Sequence, residues 1–486
     1  MLNLVPLLCG LIGLLLSFIY FSWIRKVGRN DNEHLIQHSA KEKIFYRKEW
    51  MTIIIVVIVL SVVIGISLDW ISSLLYVYGA ATSIAIELIG SHMLNAGKSK
   101  FENYIGEDSQ LFQIGFRTGA SAGIFMASAG LLTLGAIFIP LNISTAISCI
   151  ACYGFGVSTI VLFNETKFIA AADFYESFVL SLMAAIILTD FAVNTAHITS
   201  TFTAATAAVY PLIIAGTGLL ASIIANFFVR RKERGNITVR INTGAYITAA
   251  LLVIASIYLS INLLQSYLYA VALSLGVICG LISGLSAARN TSLVSVLAFA
   301  ASFILSYKFI GTYGLALDAV GFVSITSFLI ATSSYSLVTE TNTNIGKYAE
   351  GYATCASALA VLALFVAYTQ AAKLNVISIT DPNVLVGLFA GAMMPIVYAS
   401  IFTRKDEAEH NFDFIMRLTS FLVPGIVGML FGAESLGAFL GGLITAGMVT
   451  SFEVSDSASI NSMIKYMTAF SLVFSPVFMQ YGGILY

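Results

Sequence analysis

With 486 residues, 58% of them apolar, 10% charged and a mean hydropathy of +0.91, the chain is too apolar for a soluble globular protein and reads as mostly bilayer-embedded. A formal net charge of -1 with no clustered basic face excludes nucleic acid as a partner, because phosphate binding needs such a face. A single transmembrane domain over 1–486 leaves no stretch for a separate soluble one.

The first apolar stretch, 2–24, has no basic residue before it and no small-residue cleavage site, and Arg25, Lys26 and Arg29 follow it. It is therefore expected to be a retained span rather than a signal peptide. Further stretches follow near 51–68, 70–93, 113–138, 146–163, 172–190, 204–228, 242–261, 265–286, 292–310, 312–332, 352–371, 383–403, 414–431, 434–452 and 463–483. A span takes about 20 apolar residues, so the expected fold is an all-α polytopic membrane protein of about 16 transmembrane helices. Junctions at Asp69-Trp70, Gly311 and Ala433-Glu434 are short enough to imply helical hairpins.

Sorted by alternating loops, nearly all basic residues fall on one side: Arg25 to Lys48, Lys98, Lys100, Arg117, Lys167, Arg230 to Arg240, Arg289, Lys347, Arg404, Lys405, Arg417 and Lys465. Only Lys308 and Lys373 fall opposite. Positive residues stay on the cytoplasmic side, so both termini are expected on the outer or lumenal side of an integral, multi-pass protein. Short loops on the basic side, between Phe163 and Asp173 and between Thr450 and Asn461, imply a flat face there.

Five cysteines, Cys9, Cys149, Cys152, Cys279 and Cys355, lie in apolar stretches, where a thiol behaves as a small hydrophobe. Runs of small residues such as Gly115 to Gly123 are read as close helix packing. No histidine spacing suggests a metal site.

A charge inside the bilayer costs about 2.5 to 3.5 kcal/mol on insertion scales, which makes each one a functional candidate. Asp173 and Glu176 stand three apart, on one helix face, with Ser177 beside them, and Lys465 starts the last stretch. A buried ion pair between these acids and Lys465 is therefore expected. For Glu87 and Asp318, hydrogen bonding between helices is expected rather than transport.

Several segments resemble, in order, the proton- or sodium-pumping membrane pyrophosphatases. They are GAATSIAIELIGSHMLNAGKSK, FRTGASAGIFMASAGLLTLG, GFGVSTIVLF, ADFYESFVLSLMAAIIL, PLIIAGTGLLASIIANFFVR, GTYGLALDAVGFVSITSFLIAT, DPNVLVGLFAGAMMP and SINSMIKYMTAFSLVFSPVF. The resemblance implies that family's helical bundle, a homodimer in a lipid bilayer, and an ion gate made by the Asp, Glu and Ser of ADLFESY with a lysine of the last span. Those positions here are Asp173, Glu176, Ser177 and Lys465.

The family's carboxylate-rich motifs, which hold magnesium pyrophosphate through hard oxygen ligands, are thinned in this chain. ATDAYGPIADNAGG stands as ATSSYSLVTETNTN, with Ser333 for the first Asp and Glu340 as the retained acid. KGFAIGSAA stands as EGYATCASA, with Glu350 for the lysine, and the loop before the last span keeps Glu453 and Asp456. LFARV becomes Leu162-Phe163-Asn164-Glu165.

On this count the sequence is read as a catalytically degenerate homologue. It would be a non-hydrolysing membrane subunit or ion-conducting protein with a retained gate, without catalytic residues or cofactor, Glu340 and Asp456 being remnants of a lost site. The alternatives are an active pyrophosphate-driven proton or sodium pump using Mg²⁺ at a minimal site, or a structural subunit assembled with other membrane subunits.

Overall fold

The computed structural model describes residues 4–26, 36–102, 108–141, 143–163, 170–195, 204–231, 237–288, 292–325 and 457–481, with 328, 420, 422–430 and 432. Among them every regular element is helical. In chain order these are α1 (Leu4–Lys26), α2 (Ile36–Ser67), α3 (Trp70–Glu102), α4 (Asp108–Ile137), α5 (Ile143–Phe163) and α6 (Ala170–Thr195). Then come α7 (Ala204–Arg231), α8 (Ile237–Leu259), α9 (Tyr267–Ala288), α10 (Ser292–Ile310), α11 (Thr312–Ser324) and α12 (Ser457–Tyr481). Seven described helices are long and apolar enough to cross a membrane. The expected spans 352–371, 383–403 and 434–452, Cys355 and the junction at Ala433-Glu434 lie outside the described residues.

The outer helices turn large apolar side chains outward. On α1, Leu4, Leu8, Leu11, Leu15 and Ile19 are exposed, while Cys9, Gly10, Gly13 and Ser17 face the bundle. This arrangement inverts that of a soluble protein: lipid accepts leucine, and small residues let backbones approach. Helices α4 and α5 lie almost wholly inside. Where α3 meets α5, a Cβ on Gly79 would overlap the Tyr153 carbonyl oxygen, and one on Gly156 would overlap that of Tyr76. Cys9, Cys149, Cys152 and Cys279 are buried and form no disulfide among the described residues.

The described junctions behave as their residues dictate. Asp69 caps α3, its Oδ1 accepting the Ser72 N–H at 2.7 Å and its Oδ2 the Ser72 hydroxyl at 3.0 Å. Gly311, at φ 78°, makes the sharp turn from α10 into α11, a conformation glycine adopts without a Cβ penalty. A π-helical turn at Ser260–Leu264 ends α8, and Gln265 in the left-handed region redirects the chain into α9.

The loops between Phe163 and Asp173 and between Thr450 and Asn461, on which a flat basic face was expected, lie largely outside the described residues. Elsewhere on that side the helices outrun their apolar stretches: α2 begins at Ile36, well before its own, and α3 runs on to Glu102. Alanine, lysine, glutamate and arginine are good helix formers, so the helices continue past the point where hydropathy ends. At this end the Lys100 ammonium donates to the Ile24 carbonyl, closing the C-terminus of α1. The Arg117 guanidinium lies 3.4 Å over the Trp23 ring, and that of Arg240 4.5 Å over Phe112.

Candidate functional site

Helix α6 runs through the centre of the bundle, with α3, α4, α5, α7 and α11 against it, and α12 packs along α5 and touches α6. Glu176 on α6 is fully buried, and Lys465 on α12 is 1% exposed. Their side chains meet, with Lys465 Nζ 3.4 Å from Glu176 Oε2. Each charge supplies what the other loses on leaving water. A lone ammonium or carboxylate at this depth would carry a desolvation penalty of several kcal/mol.

Helix α12 packs on α5 through aromatic rings. Tyr466, next to Lys465, places its ring 5.3 Å from that of Phe155, which also meets Phe470 at 5.9 Å and Phe474 at 6.2 Å. These rings form an apolar sleeve between α5 and α12, and the burial of the pair itself, 2% and 0% exposed, strengthens its Coulombic contact. Ser177 is buried, and its carbonyl accepts the Ser181 hydroxyl one turn on. Asp173 sits on the first turn of α6, a helical turn before Glu176; its side chain lies outside the described residues.

On the other side of α6 runs a chain of buried hydroxyls. Tyr175 contacts Tyr153 on α5 at 2.5 Å and Thr133 on α4 at 3.0 Å, and Tyr153 contacts Thr82 on α3 at 3.1 Å. Four helices are thus joined by polar links that hydropathy does not reveal, although Tyr and Thr at buried positions of spans are a usable signal.

Of the two other membrane acids, Glu87 is buried on α3 and Asp318 on α11. The Ser302 hydroxyl of α10 stands 2.8 Å from both carboxylate oxygens of Asp318, the expected bond between helices. The acids considered as remnants of a magnesium site, Glu340 and Asp456, together with Glu165, Glu350 and Glu453, lie outside the described residues. Among the described residues no three His, Cys, Asp or Glu gather as a metal set. Glu176 with Lys465 offers one carboxylate already faced by an ammonium, which does not suit magnesium.

Fold and pair together define a polytopic helical membrane protein with an ion pair sealed in its interior. The chain belongs to the inorganic H+ pyrophosphatase family, whose model matches residues 11–166, 169–283 and 338–410. It is 23% identical over 596 residues, covering 91% of this chain and 87% of the relative, to the K(+)-insensitive pyrophosphate-energized proton pump of Methanosarcina mazei. A protein of Clostridium tetani, provisionally named a K(+)-stimulated pyrophosphate-energized sodium pump, is 23% identical over 458 residues, 65% of this chain and 67% of the relative. The K(+)-insensitive pyrophosphate-energized proton pump of Chloroflexus aurantiacus is 22% identical over 429 residues, 61% of this chain and 55% of the relative.

These matches overturn the reading of the chain as a degenerate, non-hydrolysing homologue. The family model extends through 338–410, which contains Glu340, Glu350 and the EGYATCASA segment, and the relatives are named as energised pumps. The physical reason for the error is that counting acids in short motifs measures ligands by sequence position, whereas a substrate site is assembled from several helix ends in space. Fewer acids in one motif do not measure how many converge.

Proposed function

We propose that this protein is a pyrophosphate-energised cation pump with the proton as cargo, and that Glu176 and Lys465 form its gate, flanked by Asp173 and Ser177. The observation that carries the reading is the sealed ion pair between α6 and α12. A buried pair gives little net stability over an apolar replacement, so its presence in a span points to use. The proton as cargo is supported by the long match to the Methanosarcina mazei protein.

In this reading the Lys465 ammonium holds Glu176 ionised while α12 is seated. A shift of α12 along α5 would withdraw the ammonium, and Glu176 would then take a proton from the side to which it opens. Return of Lys465 would expel that proton toward the opposite side. The aromatic sleeve of Phe155, Tyr466 and Phe470 keeps water from bypassing the exchange. The remaining parts of the proposal are one transmembrane domain, a homodimer in the bilayer, and both termini on the side opposite the basic loops.

The test uses protein reconstituted in liposomes and supplied with magnesium pyrophosphate. Phosphate release should accompany acidification of the lumen, and Glu176→Gln should abolish acidification. Absence of phosphate release above protein-free liposomes would overturn the proposal. Uptake of labelled sodium without acidification would replace the proton by sodium as cargo.

A further inference from the structure

Asp318 stands apart from the gate. It lies within α11, 1% exposed, and its carboxylate oxygens both meet the Ser302 hydroxyl. Ser306, one turn along α10, is equally buried and bears on the same carboxyl without completing a hydrogen bond. The backbones close tightly over the group, since a Cβ on Gly276 of α9 would overlap the Asp318 carbonyl oxygen.

Among the described residues no cation pairs with it. Helix α9 carries no charged residue and presents Tyr269 and Cys279, while α10 carries Lys308, which is exposed, and Tyr307. Helix α6 brings Asp173, Tyr175, Glu176 and Asp190, α7 brings Tyr210, Arg230 and Arg231, and α11 itself has Tyr313. Of these, the residues whose side chains are described, which excludes Asp173, Arg230 and Arg231, form no ion pair or hydrogen bond with Asp318. Among the described residues an ionised carboxylate in that position would face serine hydroxyls and no cation, and inside a bilayer a charge without a counter-charge is the costly state.

We propose that Asp318, cradled by Ser302 and Ser306, is a second proton-binding site within the membrane, separate from the Glu176–Lys465 pair, and that it carries its proton at neutral pH. The Ser302 oxygen, equidistant from both carboxyl oxygens, accepts the acid hydrogen from one and donates to the other. A hard metal cation in its place would need about six oxygens, more than this carboxyl and two serines supply. Loaded, the site is neutral and lets α10 and α11 close on α9. Unloaded, it would place a negative charge where α9 and α11 touch.

Infrared difference spectroscopy of the full-length protein in nanodiscs tests this. At neutral pH, Asp318→Asn should lose one carboxylic C=O band present in the parent, and Ser302→Ala should shift the same band upward as its hydrogen bond is lost. If Asp318→Asn does not fold, the Ser302→Ala shift still decides the matter. A parent lacking the band, or a band unmoved by either variant, overturns the proposal. So does loss of the band on adding sodium chloride at constant pH, which would make the site one for sodium.

Discussion

Replacing Lys465 by alanine leaves the Glu176 carboxylate buried without that ammonium. The parent pair is 3.4 Å apart with side chains 2% and 0% exposed, so neither partner has water to fall back on. Removing one member of such a pair costs about 3 to 5 kcal/mol, chiefly from the charge left behind. The contrast is Lys98, whose 4.0 Å contact to Glu102 is at side chains 33% and 41% exposed. Its replacement by alanine should cost about 0.5 kcal/mol, as exposed helical pairs do. Reversible unfolding in mixed micelles with rising SDS, followed by far-UV circular dichroism, measures both. The double variant Glu176→Gln with Lys465→Met removes both charges and should recover most of the loss. If Lys465→Ala is no more damaging than Lys98→Ala, or if the double variant is as unstable as the single, the buried-pair argument fails.

Gly156→Ala should weaken the α3–α5 contact by about 1 to 3 kcal/mol, since the added methyl meets the Tyr76 backbone, and the loss is read as a lower SDS concentration at unfolding. Tyr175→Phe breaks the hydroxyl chain at its middle and should cost about 1 to 3 kcal/mol, read in the same titration. Trp23→Leu keeps an apolar residue but removes the ring under Arg117, and a loss of about 0.5 to 2 kcal/mol is expected from the same measurement.

The sequence alone determined where the described helices run and what kind of solvent surrounds them, because a bilayer selects on hydropathy summed along the chain. It also placed Asp173 and Glu176 on one face of α6 and marked Gly311 as a turn. Helix ends on the basic side were less legible, since α2 starts among lysines and glutamates that favour helix but not lipid. The sequence led to the expectation that Lys465 pairs with the acids of α6, but only the tertiary structure decided that it reaches Glu176, that Tyr175 joins Tyr153 and Thr133, and that Ser302 meets Asp318. The Ser302–Asp318 contact left a faint trace, two serines one turn apart before the Gly311 turn and an acid after it at similar depth. The other contacts depend on how each helix is rotated and how deep it sits, and those are set by close packing at residues such as Gly79, Gly156 and Gly276. Hydropathy along a chain is one-dimensional, whereas a buried partner is chosen across it.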